Sequence, residues 1–217
     1  MSTEIASFIQ KNKVITICRR LYGKDLLNLV SALNQGGMNM VEVTFDQSDS
    51  DCIKNTTEAI HMLVEKFGSK MAIGAGTVLT KEQVKAAKDA GGSYIISPNV
   101  DVEIIKYTKE LGLVSMPGAM TPSEILTAHN AGADFVKLFP AGYLGFDYVK
   151  NIIAPISHVK LVATGGVTEE NLLEYLKLGF AGAGVSGRLA DRKLITAGNF
   201  EEITKRAQAF SKIAMAY

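Results

Sequence analysis

The stretch FVKLFPAG, Phe135 to Gly142, places a lysine in the middle of a short apolar run. Turn-forming residues bound it on both sides, Asn130-Ala131-Gly132 before and Pro140-Ala141-Gly142 after, so it reads as a β-strand. Side chains alternate along a strand. Phe135, Lys137 and Phe139 therefore share one face, and Val136 and Leu138 the other. Taken alone, Lys137 reads as a strand-end lysine that snorkels to water. If both faces are covered, its amine enters the interior, where burial favours the neutral form. A neutral amine attacks carbonyls and forms an imine. A second ionisable group follows the same rule. In MVEVTF, Met40 to Phe45, Glu42 and Thr44 oppose Val41, Val43 and Phe45. The large apolar side chains belong under helices, which turns Glu42 inward as well. A carboxylate beside an imine-forming lysine can shuttle its protons. The plainer reading, a buried ion pair that only holds the fold together, is the weaker one, because such pairs often cost more in desolvation than they return.

A third cluster suits an anion. Thr164-Gly165-Gly166-Val167-Thr168 leads from an apolar run into a predicted helix. Glycines there let backbone N–H groups approach a ligand, and a helix N-terminus favours negative charge. Ser186-Gly187-Arg188 adds a hydroxyl, an amide and a cation. A Gly-Gly turn is by itself most often only a tight turn, so its weight depends on where the fold puts it.

The elements that must position these groups alternate along the chain. Residues 2 to 12 predict an N-terminal amphipathic helix. Predicted strands then run over Val14–Arg19, Met40–Phe45, Met71–Val78, Tyr94–Pro98, Leu113–Ala119, Phe135–Gly142, Val159–Gly166 and Ala183–Arg188. Helical periodicity lies between them: Asp25–Gln35, Cys52–Phe67, Glu82–Ala90 after Thr80 as N-cap, residues 101–111, a start at Thr121-Pro122-Ser123-Glu124, Gly145–Ile153, a start at Thr168-Glu169-Glu170, and finally Phe200–Ala216. Strand starts about 20 to 30 residues apart fit a repeated βα unit. Eight such units predict an α/β chain folded as one (β/α)₈ TIM barrel over residues 1–217, with the N-terminal helix as an extra. A doubly wound open sheet is the alternative, disfavoured because no Rossmann-type phosphate fingerprint is present.

Barrel active sites lie at the C-terminal strand ends. Those ends carry Arg19, Glu42 with Thr44, Gly76-Thr77, Ser97-Pro98, Pro117-Gly118, Lys137 with Phe139, Thr164-Gly165-Gly166 and Ser186-Gly187. Phosphate often binds after strands seven and eight of a barrel, which raises the weight of the two glycine-bearing ends.

Composition narrows the remaining choices. The 217 residues are 47% hydrophobic, enough for a sizeable core. With 23 basic and 22 acidic residues the net charge is +1, and no basic block suggests a nucleic-acid partner. No apolar run reaches the roughly 20 residues of a membrane helix, and the N-terminus does not resemble a secretory signal. Two cysteines, Cys18 and Cys52, suggest no disulfide framework and fit a reducing cytoplasm. Neither reads as a nucleophile. His61, His129 and His158 lie off the strand ends and lack ligand spacing. No metal and no organic cofactor is expected, and zinc-dependent aldolase or hydrolase chemistry is disfavoured.

Six blocks, VEVTF, GAGTVLT, ISP, MPGAMTPSE, VKLFPA and ATGGV, occur in one order from Val14 to about Phe210. In these blocks and their order the chain resembles the bacterial 2-keto-3-deoxy-6-phosphogluconate (KDPG) and 4-hydroxy-2-oxoglutarate (KHG) aldolases. The resemblance implies a class I aldolase on a (β/α)₈ barrel, usually a homotrimer, acting on a small keto-acid sugar phosphate. It implies that Lys137 forms the Schiff base and that Glu42 is the general acid/base. It further implies that Thr77 contacts the pyruvate carboxylate, that Pro98 and Phe139 line the pocket, that Arg19 matches an arginine of some members, and that Gly165 and Gly166 bind phosphate. KDPG cleavage to pyruvate and glyceraldehyde 3-phosphate is the expected reaction, with 4-hydroxy-2-oxoglutarate as a further substrate. The alternatives are a related aldolase for the phosphogalactonate epimer or an unphosphorylated 2-keto-4-hydroxy acid, a phosphate-binding barrel with isomerase or synthase chemistry, and a non-catalytic binding barrel.

Two departures stand out. Many members carry an arginine four residues after the glutamate; here that position is Asp46, which shifts carboxylate recognition toward Arg19 and backbone amides. At strand eight the serine is displaced by one, in Gly184-Val185-Ser186-Gly187-Arg188. One position reverses the facing on a strand. Ser186 is thereby expected to turn from the phosphate, with the Gly187 amide and Arg188 substituting.

Overall fold

The computed structural model describes residues 2–217. A parallel sheet curls into a barrel: β1 (Val14–Cys18), β2 (Met40–Thr44), β3 (Ala72–Gly76), β4 (Tyr94–Ile96), β5 (Val114–Met116), β6 (Gly118–Ala119), β7 (Val136–Leu138), β8 (Leu161–Thr164) and β9 (Gly182–Val185). The spatial order is β5-β4-β3-β2-β1-β9-β8-β7-β6. The expected fifth strand is thus present as two pieces. Pro117 separates them because proline has no N–H to donate to a ladder. β5 pairs with β4 and β6 pairs with β7, so this one segment closes the barrel. The Lys137 N–H donates to the Pro117 carbonyl at 2.9 Å across the closure.

Two apolar layers follow from the strand alternation. Val41, Val43, Val136 and Leu138 face the outer helices, within the large cluster between sheet and helices. Ile15, Met40, Tyr94, Phe135 and Val162 fill the barrel interior. Met40 and Phe135 thereby fix which way Glu42 and Lys137 point, since each lies two residues further along its strand. The bottom of the barrel is plugged by α1 (Ser2–Asn12), whose Ile9 is buried in this interior cluster with Ile5, Ala6 and Phe8 packed beside it.

Helices α2 (Gly23–Gln35), α3 (Cys52–Phe67) and α5 (Val102–Glu110) alternate with the strands, and the expected helix signals hold at several ends. Thr80 caps α4 (Lys81–Asp89) by accepting the Gln83 N–H, and Thr121 forms a capping box with Glu124 at the start of α6 (Pro122–Asn130). Two strand–helix junctions differ from expectation. The final barrel strand stops at Val185, and residues 187–189 form a turn rather than its continuation. Residues 168–171 also form a turn, in which the Thr168 N–H donates to Asn171 Oδ1 and Asn171 Nδ2 donates to the Gly166 carbonyl. The helix expected at Thr168 begins only at Leu172. The Asn171 side chain competes with helical bonding there, as short polar side chains do. Among the described residues, no helix is long and apolar enough to cross a membrane.

Candidate active site

A cavity of about 440 Å³ opens at the C-terminal end of the barrel. Arg19, Thr77, Pro98, Lys137, Phe139, Gly165, Gly166, Ser186 and Gly187 all line it. These residues come from six different strand ends. Glu42 lies beneath, in the barrel interior, with 2% of its surface exposed.

Lys137 is 8% exposed. Burial pushes its pKa below the ordinary lysine value; the Glu42 carboxylate pulls it back up, and the Arg19 charge lowers it further. Glu42 moves the opposite way. Burial raises its pKa, opposed by the Lys137 and Arg19 charges. Both shifts favour the neutral pair over the charged one. Lys137 is therefore not the snorkelling residue that its strand alone suggests. Its Nζ stands 4.9 Å from the centre of the Phe139 ring, whose π face supports a positive charge formed on that nitrogen.

Room for the carboxylate comes from Gly76. A Cβ there would overlap Glu42 Oε1. Beside it, Gly74 makes way for the ring of Tyr94, which a Cβ at that position would also overlap. The Tyr94 hydroxyl donates to the Val41 carbonyl at 2.6 Å, which pins the ring below the carboxylate.

Thr77 sits just past β3 with φ +56. For a residue with a Cβ, a left-handed backbone costs about 1–3 kcal/mol and persists only where neighbours impose it. On the opposite wall, Gly165 and Gly166 also have positive φ, at +84 and +79. Gly165 packs against Phe139 and Pro140, and its carbonyl accepts the Gly142 N–H at 2.7 Å. This ties the rim after β8 to α7 (Ala141–Leu144), a short helix that the sequence did not announce. Because the following helix starts only at Leu172, what this rim presents to the cavity is glycine backbone rather than a helix end.

Ser186 lines the cavity, against the expectation that it turns away. The strand has ended at Val185, and Ser186 keeps the parity of inward-facing Gly184; its hydroxyl donates to the Ile17 carbonyl at 3.4 Å. Arg188 reaches the cavity wall too, but both its Nε and an NH2 group donate to Glu169, each at 3.0 Å. Its charge is thereby paired with Glu169 at the edge of the cavity. Asp46 is absent from the cavity lining. It pairs with Arg20 at 2.7 Å and accepts from Ser48. The Ser48 hydrogen bonds, with the Arg20 guanidinium, hold its carboxyl below the usual range. Arg19, by contrast, faces the cavity.

The cavity also includes Thr164, Val167 and Thr168, from the glycine-bearing cluster that the sequence marked as suited to an anion, and Ile17 and Gly184, which the sequence reading did not single out. Strand parity would have found Ile17 and Gly184. The histidines lie elsewhere: His61 pairs with Glu65, and the His129 and His158 rings meet edge to face at 5.1 Å. Cys18 is buried between sheet and helices, where burial and then the Glu42 charge push its thiol up to about 12.

The profile of the KDPG and KHG aldolase family matches residues 5–206. The 2-dehydro-3-deoxy-6-phosphogalactonate aldolase of Escherichia coli strain K12 is 34% identical over 204 residues, covering 93% of this chain and 94% of that enzyme. The 2-dehydro-3-deoxy-phosphogluconate aldolase of Haemophilus influenzae is 28% identical over 202 residues, covering 92% of each chain. Among solved structures, KDPG aldolase from Legionella pneumophila, with pyruvate captured as a covalent carbinolamine intermediate, superposes with a TM-score of 0.82 at 28% identity, over 94% of this chain and 96% of that one. A buried lysine–glutamate pair at the mouth of a parallel barrel, and a family match spanning nearly the whole chain, lead to one conclusion: this protein belongs to the KDPG and KHG aldolase family and is a lyase.

Proposed function

We propose that the protein cleaves 2-keto-3-deoxy-6-phosphogluconate to pyruvate and glyceraldehyde 3-phosphate through an imine on Lys137. The observation that carries this reading is the burial of Lys137 and Glu42 together at the cavity floor, with opposed pKa shifts that favour a neutral amine. Neutral Lys137 Nζ attacks the C2 ketone. Glu42 moves protons through the carbinolamine, water leaves, and a protonated imine forms. Glu42 then takes the proton of the C4 hydroxyl. The C3–C4 bond breaks, its electrons pass into the imine to give an enamine, and the aldehyde departs. Reprotonation at C3 and addition of water release pyruvate and restore the amine.

The surrounding residues divide the substrate between them. Thr77 and Arg19 take the carboxylate, which leaves Asp46 outside the site. Pro98 and Phe139 line the reacting carbons. The Gly165 and Gly166 backbone, with Ser186 and the Gly187 amide, take the phosphate; Arg188 is committed to Glu169. The galactonate epimer is the second reading, favoured by the 34% identity with a phosphogalactonate aldolase. Both epimers yield the same products, so the chemistry on Lys137 is common to them. The homotrimer implied by the family resemblance is the expected assembly, measurable by analytical ultracentrifugation.

Borohydride reduction in the presence of pyruvate, followed by intact-protein mass measurement, tests the imine. A pyruvyl adduct on wild type that disappears in Lys137→Ala supports the reading; an adduct that survives there defeats it. A panel of both 6-phosphorylated epimers, their unphosphorylated forms and 4-hydroxy-2-oxoglutarate then ranks the substrates by kcat/KM.

A further inference from the structure

Thr77 is held by two glutamines that lie outside the cavity lining. Gln47, in the loop after β2, donates its Nε2 hydrogen to the Thr77 carbonyl at 2.7 Å. Gln83, on α4, donates from its Nε2 to Gln47 Oε1 at 3.0 Å. Gln83 Oε1 in turn accepts the Leu79 backbone N–H at 2.8 Å, and the Gln83 N–H is capped by Thr80. The direction of this relay is set at both ends. A backbone N–H can only donate, so it fixes which end of the Gln83 amide faces Leu79. A backbone carbonyl can only accept, so it fixes the end of Gln47 that faces Thr77. Both amides are satisfied in a single orientation.

The relay acts at a strained point of this rim. Thr77 has φ +56, while the peptide groups flanking it are pinned by neighbouring strands. The Gly76 carbonyl accepts the Phe45 N–H at 2.9 Å, and the Val78 N–H donates to the Ile96 carbonyl at 3.2 Å. The Thr77 carbonyl, in the same peptide group as that Val78 N–H, is held on its oxygen side by the Gln47 side chain. Gln83 is 3% exposed, a buried polar group spent entirely on this arrangement, whereas Gln47 is exposed. A buried amide retained in a core needs such a set of partners to be tolerated.

We propose that Gln47 and Gln83 are positioning residues, which lock the left-handed turn at Thr77 so that its polar groups meet the carboxylate of the keto acid. This rests on the aldolase reading given above, in which Thr77 takes that carboxylate. It also accounts for a carboxylate site that works with Asp46 in place of the arginine: orientation of Thr77 replaces a second charge.

Gln47→Ala and Gln47→Glu separate positioning from folding, because the residue is exposed. The glutamate variant still accepts from Gln83 but no longer donates to Thr77. In borohydride trapping, the half-saturating pyruvate concentration rises about tenfold in both variants, the scale of one hydrogen bond to a charged group. Trapping at saturating pyruvate is unchanged. Acetone, a ketone without the carboxylate, shows an unshifted concentration dependence. In a Thr77→Gly background, Gln47→Ala adds no further loss, since glycine reaches positive φ unaided. Equal shifts for acetone and pyruvate, or no shift for pyruvate, overturn the relay. Failure of the wild type to trap pyruvate at all breaks the aldolase reading and the relay with it; an intact wild-type trap with unshifted variants breaks the relay alone.

Discussion

The floor of the cavity and its glycine rim are built on opposite principles. The floor is two side chains on strand interiors, Glu42 on β2 and Lys137 on β7, at 2% and 8% exposure. Their orientation is inherited from the alternation of Met40 and Phe135 into the barrel. The rim is backbone: Gly165 and Gly166 at positive φ, then Ser186 and Gly187 beyond the end of β9. The cation on that side, Arg188, is neutralised by Glu169. Reactivity is thus placed where geometry is stiff and water is scarce. In the proposed reading, recognition of the substrate tail falls to turns that lie outside the sheet. The difference teaches that a change in such turns can alter the tail that is accepted without disturbing the strands that hold Lys137 and Glu42.

The comparison breaks first at the floor. Lys137→Met is expected to abolish pyruvate trapping and cleavage. Pairing it with Glu42→Leu is expected to raise stability, because replacing two buried ionisable groups by apolar side chains of similar size is often stabilising by about 1–4 kcal/mol. In a chain of this size that corresponds to about 2–4 °C in Tm per kcal/mol, read by calorimetry. The pH dependence carries the sign. Folded Lys137 has a pKa below the ordinary 10.5, so between the two values the unfolded chain binds more protons, and wild-type stability gains from this group as pH rises through that window. Loss of the lysine should flatten that rise. A double variant that is less stable would mean that the pair holds the barrel together after all.

Gly76→Ala sharpens the geometry of the floor. The added methyl would overlap the Oε1, Cδ and Cγ atoms of the buried Glu42 side chain, which must then shift within the barrel. The expected result is a fall of about 10²-fold in kcat, the scale of an ångström-sized misplacement of a reacting group, with a lowered Tm. Unaltered kcat would show that the carboxylate need not sit where it does.

At the rim the effects are smaller and fall on binding. Gly166→Ala places a Cβ on a residue with φ +79 and about 3.0 Å from Gly142. It should raise KM for the phosphorylated substrate about tenfold, one or two hydrogen bonds' worth, and leave the unphosphorylated analogue untouched. Equal losses on both substrates would remove the rim from phosphate recognition. Arg188→Leu should do least. Its pair with Glu169 is half exposed, and such pairs contribute about 0.2–1 kcal/mol to stability. A large KM effect specific to the phosphate would show that Arg188 leaves Glu169 when substrate binds.

Much of this architecture is legible in the amino-acid order. Period-two alternation sets the inward faces of β2 and β7, and turn residues every 20 to 30 positions set the barrel. What alternation cannot follow is backbone without period. The break at Pro117 and the late start of the helix after Gly166 arise from single residues competing with a ladder or a helix, and the short helix α7 is too brief to show a period. Ser186 shows a different limit: it keeps the parity of Gly184 just past the end of β9, and its displacement against the family pattern did not turn it from the cavity. The Gln83–Gln47–Thr77 relay leaves no trace in the sequence, because its members lie 36 and 30 positions apart and neither glutamine belongs to a motif.

The amino-acid order by itself determined the pairing of a lysine and a glutamate inside a parallel barrel, since local alternation and repeat length are properties of the chain. Only the tertiary structure decided what those groups experience and what surrounds them. The pKa directions come from burial by distant strands, the room for Glu42 from a glycine on the neighbouring strand, and the balanced charge of Arg188 from a turn nineteen residues away. Each depends on contacts between segments remote in sequence, and those distances exist only once the barrel has closed.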